Sequence, residues 1–108
     1  MITSERFFGM LGLCMRAGQL VTGEDACKKL IRGGECALML LDGGTSMNTR
    51  RRFEAVCGMT GVPLHLCRPG ACGTAIGRGN RMCVAVRRGA LGSRLLEQLQ
   101  TESSHNIE

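Results

Sequence analysis

The residues best suited to chemistry in this sequence are charged side chains that follow a glycine at the predicted start of a helix. Gly23 precedes Glu24 and Asp25, Lys28 comes one helical turn later, and Arg16 lies shortly before. The first backbone N–H groups of a helix have no partner within it, so they can donate to a phosphate or a base edge. The two carboxylates could accept hydrogen bonds from guanine N–H groups. They also suit the positive end of the helix dipole, which is the simpler interpretation.

A second loop, over residues 76–81, carries Arg78, Gly79, Asn80 and Arg81. Glycine permits a close approach of the backbone to a ligand, and arginine can reach phosphate oxygens. An ordinary surface turn has the same residue types. The loop is therefore a candidate binding element, and other observations must identify what it binds.

Catalytic arrangements are weakly represented. His65 lies within a predicted strand, and no acid or nucleophile stands at a spacing that would complete a triad. Cys72 lies between glycines and near Arg68, a setting in which the pKa of a thiol can fall. The segment 73–79 is glycine-rich but lacks the dinucleotide and P-loop fingerprints. A small thiol or nucleotide enzyme is thus the least favoured function, and we expect no catalytic residues.

Charge is distributed unevenly along the 108 residues, whose formal net charge is +5. Residues 1–49 contain as many acidic as basic side chains, whereas residues 50–94 contain nine arginines and one acid, Glu54. A basic half of this kind is typical of proteins that bind polyanions, although it also serves solubility. Aromatic residues make up only 3%, so the stacking platforms of single-strand binders are missing.

The seven cysteines do not form a recognisable metal or disulfide pattern. Their number is odd, there is no Cys-x-x-Cys, and most have apolar neighbours. We expect free, buried thiols in a reducing compartment. A zinc site built from Cys57, Cys67, Cys72 and Cys83 is the alternative, but its spacing matches no common pattern.

Length and hydropathy predict one cytoplasmic domain over residues 1–100 and a flexible polar tail over 101–108. The longest apolar run, residues 37–41, is far shorter than a membrane span, and the amino terminus lacks the pattern of a signal peptide. These features favour a protein that acts away from membranes.

Apolar spacing alternates between helical and extended patterns. Helices are predicted over 5–16 with Ser4 as cap, from a capping box at Thr22 to Gly33, from Ser46 to about Met59, over 71–76 and around 91–99. Strands are predicted at 37–41, at 62–67 and at 82–86, with a short one at 20–21. The apolar run 37–41 indicates a central strand covered on both faces, and Pro63 indicates an edge strand. The alternation predicts an α/β layer structure.

Three segments resemble the bacterial YlxQ-type branch of the ribosomal protein L-seven-Ae family. They are Leu-Gly-Leu-Cys-Met-Arg-Ala-Gly-Gln-Leu-Val-Thr-Gly-Glu-Asp at 11–25, Ala-Leu-Met-Leu-Leu-Asp at 37–42 with Asn-Thr at 48–49, and Gly-Thr-Ala-Ile-Gly at 73–77 with Arg-Met-Cys-Val-Ala-Val at 81–86. Their order and spacing cover roughly residues 4–99. The resemblance implies a three-layer αβα sandwich with a small four-stranded mixed sheet, and an RNA-binding protein rather than an enzyme.

The better-known relatives bind kink-turn RNA, gripping tandem sheared G·A pairs with the start of the second helix. They carry Gly-x-Asn-Glu followed by a lysine three residues later. By this resemblance Glu24 stands at the Asn, Asp25 at the Glu and Lys28 at the Lys. Glu24 departs from the pattern because an ionised carboxylate accepts hydrogen bonds but cannot donate them. Where the relatives pack an apolar-acidic triplet on a flipped-out nucleotide, this chain has residues 78–80, Arg-Gly-Asn.

Together, the charge, the two loops and the resemblance predict a non-enzymatic protein that binds structured RNA, with ribosomal RNA as its expected partner. It is expected to act as a monomer without a cofactor, a metal or a small-molecule substrate. The alternative is a protein-interaction module on the same fold that has lost RNA binding through Glu24 and Asp25. The predicted RNA-binding residues are Arg16, Gly23, Glu24, Asp25, Lys28, Lys29, Arg32, Arg78, Gly79, Asn80 and Arg81.

Overall fold

The computed structural model describes the backbone of residues 1–107 and the side chains of residues 1–101. Five helices and four strands follow one another along the chain: α1 Glu5–Arg16, β1 Leu20–Thr22, α2 Glu24–Arg32, β2 Cys36–Asp42, α3 Met47–Thr60, β3 Leu64–Cys67, α4 Ala71–Ile76, β4 Cys83–Arg87 and α5 Ala90–Ile107. The predicted elements are confirmed with small shifts at their ends, except that the backbone of α5 continues as a helix for eight residues beyond the predicted end at residue 99. The predicted flexible tail over 101–108 lies almost wholly outside the described side chains and stays a prediction.

The four strands form one mixed sheet in the order β1-β4-β2-β3. Strand β3 runs parallel to β2, while β4 runs antiparallel to both β1 and β2. Strands β1, β2 and β3 therefore end, and β4 begins, at one end of the sheet, which we call the loop end. Strand β3 lies at an edge, as Pro63 indicated, and β2 is a central strand, as its apolar run indicated.

Helices cover both faces of the sheet, which confirms the predicted three-layer sandwich. On one face, α1, α4 and α5 pack on Leu38 and Leu40 of β2. On the other face, α2 and α3 pack on Met39 and Leu41. Successive side chains of a strand point to opposite faces, so these four residues of β2 contribute to both cores.

The helix starts show where local capping signals succeed and where one fails. Ser4 and Ser46 cap α1 and α3, accepting from the backbone N–H groups of Phe7 and Thr49 at 3.2 and 3.3 Å. The predicted Thr22 cap of α2 is wrong, since Gly23 is the N-cap and supplies no side-chain acceptor. Thr22 is still paired with Val84 in the sheet, so the chain leaves the strand one residue later than predicted.

All seven cysteines are buried and unpaired, as predicted. Cys57 and Cys83 pack on the face covered by α2 and α3, whereas Cys67 and Cys72 pack on the opposite face. The sheet therefore separates the four residues of the alternative zinc site, and the described residues contain no cluster of three or more potential metal ligands. Burial raises the pKa of Cys57 to about 11, which is typical of an inert core thiol.

Asp42 ties two turns together at the loop end. Its buried carboxylate accepts from the backbone N–H of Gly44 at 2.7 Å and from that of Gly70 at 2.6 Å. Gly44 belongs to the turn before α3, and Gly70 is the N-cap of α4. One side chain thus fixes the positions at which two helices begin.

Replacing Asp42 by alanine should lower the free energy of unfolding by about 2 kcal/mol, because two amides lose a charged acceptor. Urea denaturation of the parent and the variant measures this change. Glu54→Ala, which removes an exposed acid from α3, is the matched control and should change stability by less than about 0.5 kcal/mol. Equal effects of the two substitutions would contradict the role given to Asp42.

Candidate nucleic-acid interface

The start of α2 leaves backbone donors open at the loop end. Gly23 has a φ of 93°, a conformation that side chains with a Cβ rarely adopt, and it turns the chain directly from β1 into α2. Its N–H donates to the carbonyl of Cys83 at 3.2 Å, and its carbonyl accepts from Cys27 at 3.0 Å. Since no side chain caps α2, the amides of its first turn can donate to a ligand.

Glu24, the first residue of α2, is held by two cations. Its Oε2 accepts from Nζ of Lys28 at 2.6 Å and from Nε of Arg52 at 2.7 Å. Its Oε1 accepts from Nη2 of Arg52 at 3.1 Å, which completes a forked arginine-carboxylate pair between α2 and α3. We call Glu24, Lys28 and Arg52 the ion network.

The ion network stabilises the ionised form of Glu24. Hydrogen bonds from Arg52 and then from Lys28 lower the pKa of this carboxyl group from 4.5 to about 2. Arg52 also donates to Oγ1 of Thr49 at 3.0 Å, and Nζ of Lys28 lies 5.8 Å from the ring centre of Phe53. The network has two positive charges and one negative charge, so its net charge favours an anionic ligand.

The loop between α4 and β4 presents its polar residues to solvent. Arg78, Gly79, Asn80 and Arg81 are all exposed. The loop folds back on α4, where a Cβ at Gly73 would lie only 2.9 Å from the carbonyl oxygen of Arg78. Gly73 therefore permits this close approach, and the N–H of Arg78 donates to the carbonyl of Gly73 at 2.8 Å.

The two predicted loops meet at Cys83. This residue ends the second loop and begins β4, and its carbonyl accepts from Gly23 at the start of α2. Its thiol also lies close to the ion network. Burial is the largest cause of its raised pKa. The charge of Glu24 raises this pKa further, whereas the charges of Lys28 and Arg52 lower it.

The remaining predicted residues lie at increasing distances from this junction. Asp25 and Lys29 are exposed on the first two turns of α2. Arg32 is the last residue of α2, which places it about 12 Å from Glu24 along the helix axis. Arg16 ends α1 on the opposite face of the sheet. It lines an open groove between α1 and α4 with a volume of about 570 Å³.

Sequence reasoning did not place Arg52 or Arg68 among the RNA-binding residues. Arg52 meets Glu24 across 28 residues, so no local spacing signals the pair. Arg68 lines the same groove as Arg16, lies over the ring of Phe8 at 5.6 Å and donates to Oε1 of Glu5 at 3.1 Å. The run of three arginines at 50–52 was the available signal, because a helix must direct them to different sides.

Over residues 1–107, no helix combines the length and the apolar character that a membrane crossing requires.

Two solved structures share the fold of this chain over most of their length. A solved protein of unknown function from Bacillus halodurans C has a TM-score of 0.81 and 26% identity, covering 87% of this chain and 96% of that one. The Giardia lamblia 15.5kD RNA binding protein has a TM-score of 0.76 and 11% identity, covering 93% and 92% of the two chains. The second likeness concerns the fold alone.

Sequence comparison identifies the family. The chain is 34% identical over 94 residues to the RNA-binding protein YlxQ of Bacillus subtilis (strain 168), covering 86% of this chain and 94% of that protein. No model of a known protein family matches the chain. The chain belongs to the YlxQ family, which confirms the branch that the sequence motifs indicated.

Replacing Arg52 by glutamine should raise the pKa of Glu24 from about 2 toward 4.5, because the largest cause of the shift is removed. The folded pKa is lowered, so the ionised carboxylate stabilises the fold above about pH 4.5, and this contribution is lost as the pH falls toward 2. NMR titration of the Glu24 side chain measures the pKa directly. Arg51→Gln is the control and should leave it unchanged; a low pKa in both variants would exclude the forked pair.

Proposed function

We propose that this protein binds structured RNA at the loop end of its sheet, without catalysing a reaction. The observation that carries the proposal is the junction at Cys83. It joins the open amides of α2 to the exposed loop containing Arg78 and Arg81. Both elements offer donors, and a folded RNA offers phosphate and base acceptors.

The composition of the surface supports recognition of RNA shape. The loop end provides arginines and backbone amides, and the only aromatic residues in the sequence are three phenylalanines, of which none is exposed. Stacking on single-stranded bases therefore has no platform here. Phosphate contacts and contacts to a folded groove remain, and their affinity falls as salt concentration rises.

Pairing within the ion network favours RNA binding over the alternative of a protein-interaction module. That alternative depended on repulsion between RNA and the charges of Glu24 and Asp25. Arg52 and Lys28 counter the charge of Glu24, which leaves Asp25 as the exposed acid of the first turn. A single acid at this position can accept from guanine N–H groups without making the surface negative.

The target that we propose is a kink-turn or a similarly folded element of ribosomal RNA, bound by a monomer in the cytoplasm. The names of the YlxQ relative and of the Giardia protein both state RNA binding. At the positions that the resemblance assigns to G·A recognition, Lys28 keeps the lysine, and Asp25 keeps a carboxylate that is one methylene shorter than the Glu of the relatives. Lys29 and Asn80 would extend the contact to neighbouring phosphates. Arg16 and Arg32 end α1 and α2 toward the opposite end of the sheet, so we assign them no part in this contact.

Fluorescence anisotropy with a kink-turn hairpin, a plain duplex and a single strand tests this proposal. The parent protein should bind the hairpin most tightly at near-physiological salt. Replacing both Arg78 and Arg81 by alanine should weaken binding at least tenfold, because two phosphate donors are removed. Thiols must be kept reduced throughout.

Arg94→Ala provides the control, because this exposed arginine lies in the first turns of α5, away from the loop end. It should change affinity by less than about threefold, allowing for one lost charge. Equal binding of all three RNAs, or an equal loss of affinity in the two variants, would show that the protein binds RNA only through its general positive charge.

A further inference from the structure

We propose that Arg52 is an RNA-contacting residue of this interface and that Glu24 acts as its positioning residue. The ligand is a pair of adjacent acceptor atoms on RNA, either two phosphate oxygens or O6 and N7 of a guanine. The inference rests on the proposed function and assigns part of the recognition to α3, which neither the sequence nor the resemblance singled out.

The hydrogen bonds of the guanidinium group define which of its edges is open. Arginine has five N–H donors. Nε donates to Glu24, and Nη2 donates to both Glu24 and Thr49. In the described part of the chain, Nη1 has no hydrogen-bond acceptor, so its two N–H groups remain to be used.

Exposure shows that the arginine is the outer member of the ion network. Its side chain is 49% exposed, compared with 29% for Glu24 and 15% for Lys28. An approaching ligand therefore meets the guanidinium group before the carboxylate. The network presents an immobilised cation at its surface, although its first residue in the sequence is an acid.

Glu24 prepares Arg52 for binding by holding it in one orientation. A mobile arginine side chain loses conformational entropy when it binds a ligand. A forked pair with a carboxylate already orders the side chain in the free protein, so less entropy is lost on binding. Thr49 on the same helix provides a third contact. Glu24 itself begins α2, so the guanidinium group is held beside the open amides of that helix.

This arrangement makes a prediction opposite to that of simple electrostatics. Removing an acid near a nucleic-acid surface ordinarily raises affinity because repulsion decreases. Glu24→Gln should instead weaken RNA binding about threefold or more, since the neutral amide no longer holds the fork of Arg52. Glu54→Gln removes an exposed acid two residues after Arg52 and should leave affinity equal or slightly increased.

Anisotropy titration of the full chain with the kink-turn hairpin measures the role of Arg52. Arg52→Gln should bind about tenfold more weakly, whereas Arg51→Gln, its exposed neighbour with the same charge, should lose no more than about twofold. Arg52→Lys keeps the charge but loses the planar guanidinium fork. Its affinity should therefore depend on salt as that of the parent does, while remaining weaker than the affinity of the parent. Thermal unfolding of each variant verifies that it is folded.

Two further measurements identify which RNA atoms accept hydrogen bonds from Arg52. If Arg52 contacts phosphate, Arg52→Gln should lower the slope of log affinity against log salt by about one for every folded RNA. If it contacts guanine, replacing the bound guanosine by 7-deazaguanosine should weaken the parent and remove the additional effect of Arg52→Gln. Either result supports the inference and names the ligand atoms.

The inference is overturned if Arg52→Gln and Arg51→Gln bind alike, or if Glu24→Gln binds as tightly as the parent or more tightly. Those results leave the proposed function intact when the Arg78 and Arg81 variant still loses affinity. A parent protein that binds none of the three RNAs overturns both proposals together.

Discussion

The structure depends on how β2 is fixed in register within the sheet. Its residues Leu38 to Leu41 are apolar toward both helix layers, so a shift by one residue would still bury apolar side chains. In a strand that is polar on one face, the pattern itself forbids such a shift. Here Asp42, the last residue of β2, constrains the register, because its carboxylate must reach the amides of Gly44 and Gly70. The same carboxylate thereby sets the turns at the loop end.

That constraint has a functional consequence. Because β1, β2 and β3 end where β4 begins, the starts of α2, α3 and α4 are collected at one end of the sandwich. Helix starts provide free amides, and this chain adds arginines from α3 and from the loop before β4. The acidic residue at the start of α2 does not cancel this charge, since Arg52 and Lys28 are bound to it. Fold topology and ion pairing together create the surface to which we assign RNA binding.

Sequence reasoning succeeded where the information is local. Ser46 could be recognised as a cap from its neighbours, and the apolar run over 37–41 identified a central strand. Thr22 was misassigned as a helix cap because its place in β1 is decided by pairing with Val84 of β4, 62 residues away in sequence. The hydrogen bond between Glu24 and Arg52 could not be predicted for the same reason, since only the packing of α2 on α3 brings the two residues together. The sequence therefore predicted on which helix or loop a candidate residue lies, but not which distant residue it contacts.

The most direct test of this interface is NMR mapping of the parent protein with the kink-turn hairpin at near-physiological salt. An interface at the loop end predicts that backbone amide shifts concentrate at residues 23–26 and 77–83, together with the Nε–H signal of Arg52. Amides around Arg87 and Arg88, at the opposite end of β4, should remain nearly unchanged. Shifts that concentrate at that opposite end, or that spread evenly over all basic residues, would contradict an interface at the loop end.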